Sequence, residues 1–105
     1  MQVTVTARHT ELPKLVEEML RTKLEKLERF GDKLIAVHAI FDQQKYLYTA
    51  ELTLSIKGLT LVGKAENKGD LLTCMEDAVH KLKQQLKHRQ EKRLSSRRRV
   101  PHRPA

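Results

Sequence analysis

The chain has little of what specialised chemistry usually requires. Its 105 residues include two Phe, two Tyr and no Trp, with one Cys, three Pro and four Gly. A single cysteine excludes an internal disulfide and points to no redox compartment. Cys74 falls on the shoulder of an apolar helical stripe, where a small buried hydrophobe is expected rather than a nucleophile. There is no Gly-rich phosphate loop, no paired His on one helix face and no G-x-S-x-G motif. His38 has no His, Cys or carboxylate at ligand spacing, so no metal site is read. The expectation is a non-enzyme without metal or cofactor. No stretch approaches the roughly 20 apolar residues that cross a bilayer, and residues 1–8 alternate instead of forming a signal-like apolar run. A soluble, cytoplasmic protein follows as an expectation, with no membrane partner and no small-molecule substrate.

What the chain does have is positive charge, and it is unevenly placed. The formal net charge is +8. Residues 1–68 carry 11 Lys and Arg against 9 Asp and Glu, whereas residues 69–105 carry 10 against 4. A near-neutral body with its excess at one end suits an acidic partner, above all a nucleic acid. The length allows one modest core. We therefore expect one domain over residues 1–94 and a disordered basic tail over 95–105, where Ser-Ser-Arg-Arg-Arg and two prolines leave no pattern that could pack.

Periodicity supplies the elements. Gln2 to Arg8 alternates, with Val3, Val5 and Ala7 on one face, and predicts a half-buried strand ending at Arg8-His9. A helix from Pro13 to Arg29 carries Val16, Met19, Leu20, Leu24 and Leu27 inward and the pairs Glu17–Arg21 and Glu25–Arg29 outward, and Gly31 closes it. Leu34 to Asp42 reads as a central strand, with His38 on the open face beside Arg8. Asp42 to Lys45 connects it to a strand in which Tyr48, Ala50, Leu52, Leu54 and Ile56 alternate with polar residues. Gly58 turns the chain into a hairpin partner over Leu59 to Glu66, and Asp70 can cap the helix that follows.

That last helix organises the functional reading. Leu71, Met75, Val79, Leu82 and Leu86 form its inner stripe, and the same stripe continues into Arg89 and Arg93. His80, Lys81, Lys83, Lys87, His88 and Lys92 occupy the flanks and back. A solvated, frayed terminus is the ordinary alternative to an anion-binding probe. The predicted fold class is α+β in the order β-α-β-β-β-α, with both helices on one face of a four-stranded mixed sheet. The open face would show Thr4, Thr6, Arg8, His38, Glu51, Thr53 and Lys64, with no ring mid-strand on which bases could stack. Recognition is expected from the helix side, directed at phosphates and shape.

The chain resembles the short-form ribosome hibernation-promoting factors, also called ribosome-associated inhibitors or sigma-54 modulation proteins. The likeness runs over about residues 2–94. It is carried by Ala7-Arg8-His9, by Lys-Leu-Glu-Lys-Leu-Glu-Arg-Phe at 23–30, by Asp32-Lys33-Leu34 and by Ala50-Glu51-Leu52-Thr53-Leu54. Lys57-Gly58, Asp70, Lys81-Leu82 and Gln85-Leu86 complete it. The resemblance implies a fold similar to double-stranded-RNA-binding domains. It also implies a translation inhibitor that occupies the mRNA and tRNA channel of the small ribosomal subunit and keeps idle 30S and 70S ribosomes inactive in stress or stationary phase. The implied rRNA contacts are Lys81, Lys87, His88, Arg89 and Lys92, with Arg8 and His9 at the end of the first strand. Family members commonly have Tyr where Leu72 stands and Arg where Gln84 stands, and Lys83 and Arg93 are the cations nearest to making up that loss. Long-form members add a C-terminal domain that pairs two ribosomes, where this chain has an arginine-rich tail, so direct bridging by such a domain is not expected. The free protein is expected to be monomeric. Two other readings compete: a binder of generic structured RNA, and a protein-interaction regulatory module.

Overall fold

Two hairpin turns and one helical crossover set the topology of the sheet. The computed structural model describes residues 1–28 and 34–99, with side chains through Arg89. Strands β1 (Gln2–Arg8), β2 (Leu34–Gln44), β3 (Leu47–Ile56) and β4 (Leu59–Asn67) form one sheet in the order β1-β2-β3-β4. Helix α1 (Lys14–Leu27) joins β1 to β2, which pair in parallel, and the other two pairings are antiparallel. The element order, the mixed sheet and the placement of both helices agree with the sequence reading.

The polar connection expected at Asp42 to Lys45 is shorter than that. β2 continues to Gln44, which pairs with Leu47, so Lys45 and Tyr46 alone make the turn, Lys45 at φ 59°. At the other hairpin Lys57 and Gly58 turn between the paired Ile56 and Leu59, and Gly58 takes the φ of 74° that favours glycine. β2 also departs from simple alternation at its start. Leu34 pairs with Ile56 and Ala36 with Ser55, so Ile35 is an extra residue, 54% exposed. This bulge resets the phase and lets Leu34 join Val37, Ala39 and Phe41 on the buried face.

Above that face, α1 contributes Val16, Leu20, Leu24 and Leu27 to the core, with Met19 half-buried at its margin. Lys14 is the first helical residue, and Pro13 precedes it, its carbonyl accepting from Glu17 N–H at 3.2 Å. Arg21 pairs with Glu17 at 3.4 Å as expected, whereas the Glu25–Arg29 pair, Phe30 and the Gly31 cap lie outside the described residues. Helix α2 (Leu71–Arg99) packs on β3 and β4 and buries Leu71, Cys74, Met75, Val79, Leu82 and Leu86. Lys23 of α1 reaches Glu76 of α2 at 3.7 Å across the outside of the helix layer.

Candidate nucleic-acid interface

The cationic helix begins at a defined cap. Asp70 Oδ1 accepts Thr73 N–H at 2.7 Å, and its Oδ2 accepts the Thr73 hydroxyl at 3.2 Å. Asn67 Oδ1 accepts the backbone N–H groups of Gly69 and Asp70, which folds the preceding turn against the helix start. An acidic residue at this end and Lys and Arg toward the other both complement the helix dipole.

From the cap, α2 runs antiparallel to β4. Cys74 Sγ donates to Ala65 O at 3.3 Å, Lys81 Nζ to Lys64 O, and Gln85 Nε2 to Val62 O at 2.8 Å, so helix numbers rise as strand numbers fall. Gly63 makes this approach possible: a Cβ there would lie 2.6 Å from Ala78 O and 3.0 Å from Leu82 Cγ. Strand β4 begins four residues before Gly63, about 13 Å away. At 1.5 Å per residue, α2 therefore passes the end of the strand near position 90, with roughly nine helical residues still to come. The helix continues through Ser95–Arg99, five residues beyond Leu94, where the sequence reading began the tail. Ser, Lys and Arg tolerate helix well enough, and the first strong breaker is Pro101.

The expected contact residues do not all behave alike. Lys83, Lys87 and His88 are exposed and share the outer face of α2 with His80 and Gln84, opposite the buried stripe. These five side chains border an open hollow of about 430 Å³. Neither Lys83 nor Lys87 pairs with a described carboxylate. Arg89 is half-buried and interacts with its surroundings. Lys92 and Arg93 continue the helical backbone, and their side chains lie outside the described residues. Lys81 is tied to the edge of the sheet through Lys64 O.

Arg8 and His9 stand elsewhere. β1 is the edge strand farthest from β4, and Arg8 pairs with Asp42 at the end of the sheet where α2 starts, not where it leaves. His9 adopts φ 57°, and its Nδ1 lies 2.9 Å from Asp42 Oδ1. The same oxygen accepts Gln43 N–H at 2.7 Å. The His9 hydrogen bond is the main cause that holds the Asp42 carboxyl below its ordinary value, with the Gln43 bond and the charges of His9 and Arg8 adding to it and partial desolvation opposing. Asp42 was missed in the sequence because its partner is 33 residues away, across a parallel crossover. His38 lies on the open face as expected, but beside Thr6, whose Oγ1 is 3.4 Å from its Nε2, and not beside Arg8. In register it faces Thr4 and Thr53, four pairs short of Arg8.

The open sheet face carries Thr4, Arg8, His38 and Lys64 exposed and Glu51 half-buried, with Lys64 paired to Glu51 at 3.8 Å. Phe41 and Tyr48 point the other way, and Tyr46 sits on a hairpin turn. Cys74 is fully buried, and desolvation, together with Asp77, Glu66 and Asp70 nearby, pushes its thiol up to about 11. It remains a protonated thiol at neutral pH. Among the described residues no group of three or more His, Cys, Asp or Glu could hold a metal ion, and no helix is long and apolar enough to cross a membrane.

Fold and charge together define a small α+β module of one β-α-β-β-β-α unit with a long basic second helix. Residues 3–94 match the model of the family described as Sigma 54 modulation protein / S30EA ribosomal protein, and the chain belongs to that family. A ribosome hibernation promoting factor of Pseudomonas putida is 32% identical over 95 residues, covering 90% of this chain and 92% of the relative. Its Escherichia coli K12 counterpart is 26% identical over 92 residues, covering 88% and 96%. Among solved structures, a ribosomal subunit interface protein from Coxiella burnetii superposes with a TM-score of 0.78 at 22% identity, over 87% of this chain and 99% of that one. The N-terminal domain of Thermus thermophilus Protein Y gives 0.75 at 21% identity, over 84% and 98%. These two likenesses concern the fold.

Proposed function

We propose that the protein is a ribosome-binding translation inhibitor that lodges the basic half of α2 in the mRNA and tRNA channel of the small subunit, holding idle ribosomes inactive under stress or in stationary phase. The observation that carries this reading is the outer face of α2, where Lys83 and Lys87 stand exposed without described carboxylate partners on a helix that runs past the end of its sheet. Such a surface neutralises backbone phosphates and reads helical shape. Family membership and relatives named for ribosome hibernation supply the target. The role asks for no catalysis: it works by occupancy, with 16S-type rRNA of 30S and 70S particles as partner and the free protein a monomer. Residues 1–94 would form the binding domain, with the basic tail as an accessory arm.

The test is co-sedimentation with purified 30S subunits across a salt series. If about five to seven phosphates are neutralised, log affinity against log salt should slope at about −3.5 to −6. Replacing Lys83, Lys87 and Lys92 together by Glu should weaken binding by at least about 100-fold and flatten the slope by about three, with an unchanged circular-dichroism spectrum. Equal affinity for 30S subunits and an arbitrary duplex of about 16 base pairs would favour a generic RNA binder. Protein that stays at the top of a low-salt gradient would favour a protein-interaction module.

A further inference from the structure

Among the described lysines of α2, Lys81 alone has its ammonium engaged by the fold. β4 is an edge strand, so alternate carbonyls along it point away from the ladder with no strand to receive them. Two of these, Lys64 O and Val62 O, accept from Lys81 Nζ and Gln85 Nε2, the latter at 2.8 Å. The spacing is matched: residues four apart on a helix face carbonyls two apart on a strand, about 6 Å in each case. Both side chains lie on the shoulder of the buried stripe, and between them Leu82 and Ala78 close over Gly63. The helix is thus held on the strand by a close backbone approach flanked by two side-chain bonds, one turn before it leaves the sheet.

We propose that Lys81 and Gln85 are positioning residues that clip α2 to the free edge of β4 and set the direction in which its cationic half projects, and that Lys81 makes no phosphate contact. The clip is a property of the free protein; its effect on binding rests on the ribosome-binding function proposed above.

Two measurements separate the two claims. In the free protein, mass-spectrometric amine labelling should modify Lys81 more slowly than Lys83 and Lys87. In 30S binding, Lys81→Met should lower affinity by about three- to tenfold, the scale of one lost hydrogen bond, while the salt slope stays at the wild-type value. Lys81→Arg, which keeps a donor, should restore affinity, and Lys87→Met should flatten the slope by about one. The proposal is overturned if Lys81 labels as fast as Lys87, if Lys81→Met flattens the slope as Lys87→Met does, or if Lys81→Met binds like wild type. Wild-type protein that failed to bind 30S subunits would overturn the functional reading alone, since labelling still tests the clip.

Discussion

At the scale of single residues, His9 and Asp42 explain each other. A left-handed backbone costs a residue with a side chain about 1–2 kcal/mol, and His9 adopts it at φ 57° where β1 ends. Its Nδ1 bond to Asp42 holds the ring in place while leaving the side chain 69% exposed. Because the carboxyl is held below its ordinary 3.8, the folded state favours the ionised form. The associated stability is present above the unfolded value and disappears as pH falls through the lower, folded one. An NMR titration should therefore place the Asp42 midpoint below 3.8, and in His9→Ala it should rise, since the hydrogen bond that chiefly stabilises the carboxylate is gone. A midpoint that stayed put in His9→Ala would assign the shift to Gln43 and Arg8 instead. None of this was legible in the sequence, where Asp42 reads only as the polar end of a strand. The contact exists because seven parallel pairs bring Arg8 level with Asp42, and no local pattern encodes that register.

At the scale of elements, the decisive contact is α2 on β4, and it turns on a residue with no side chain. Gly63 lies mid-strand between Val62 and Lys64, where a Cβ would meet a helix backbone oxygen at 2.6 Å. Backbone cannot step aside as a flexible side chain can, so Gly63→Ala should force α2 outward. We expect a loss of about 1–3 kcal/mol, seen as a lower midpoint in thermal or urea unfolding, with faster hydrogen exchange at residues 62–65. Unchanged stability would mean that the helix shifts freely, and that the clip at Lys81 and Gln85 holds it only loosely. Much of this level could be read beforehand. The stripe from Leu71 to Leu86 and the alternation in β3 each bury one face, so apolar spacing reports them directly. The bulge at Ile35 could not be read, because an unbroken apolar run hides a change of phase. Nor could the bond from Lys81 to a carbonyl at the edge, because neither the charge of a residue nor its place beside an apolar stripe names a partner 17 residues away.

At the scale of the whole molecule, the cations expected to meet RNA fall into two groups at opposite corners. Arg8 and His9 lie on β1, at the end of the sheet from which α2 departs, whereas Lys83 and Lys87 lie on α2 as it nears the far end of β4. Three strand spacings separate the edges by about 14 Å, and the nine residues of β4 extend about 30 Å along the other axis. A single phosphate cannot bridge that separation, and with a Debye length of about 8 Å at physiological salt the two groups scarcely feel each other. If both engage the ribosome, they do so as independent contacts to different parts of a large target. That fixes the outcome of a double-mutant cycle. Arg8→Ala and Lys87→Ala should each weaken 30S binding, and their free-energy losses should add within about 0.5 kcal/mol. A coupling well above that would require the two corners to share one RNA segment or to be linked through a shift of α2. Arg8→Ala that left affinity and salt slope untouched would confine the interface to the helix, with the His9–Asp42 pair serving only to close the end of β1.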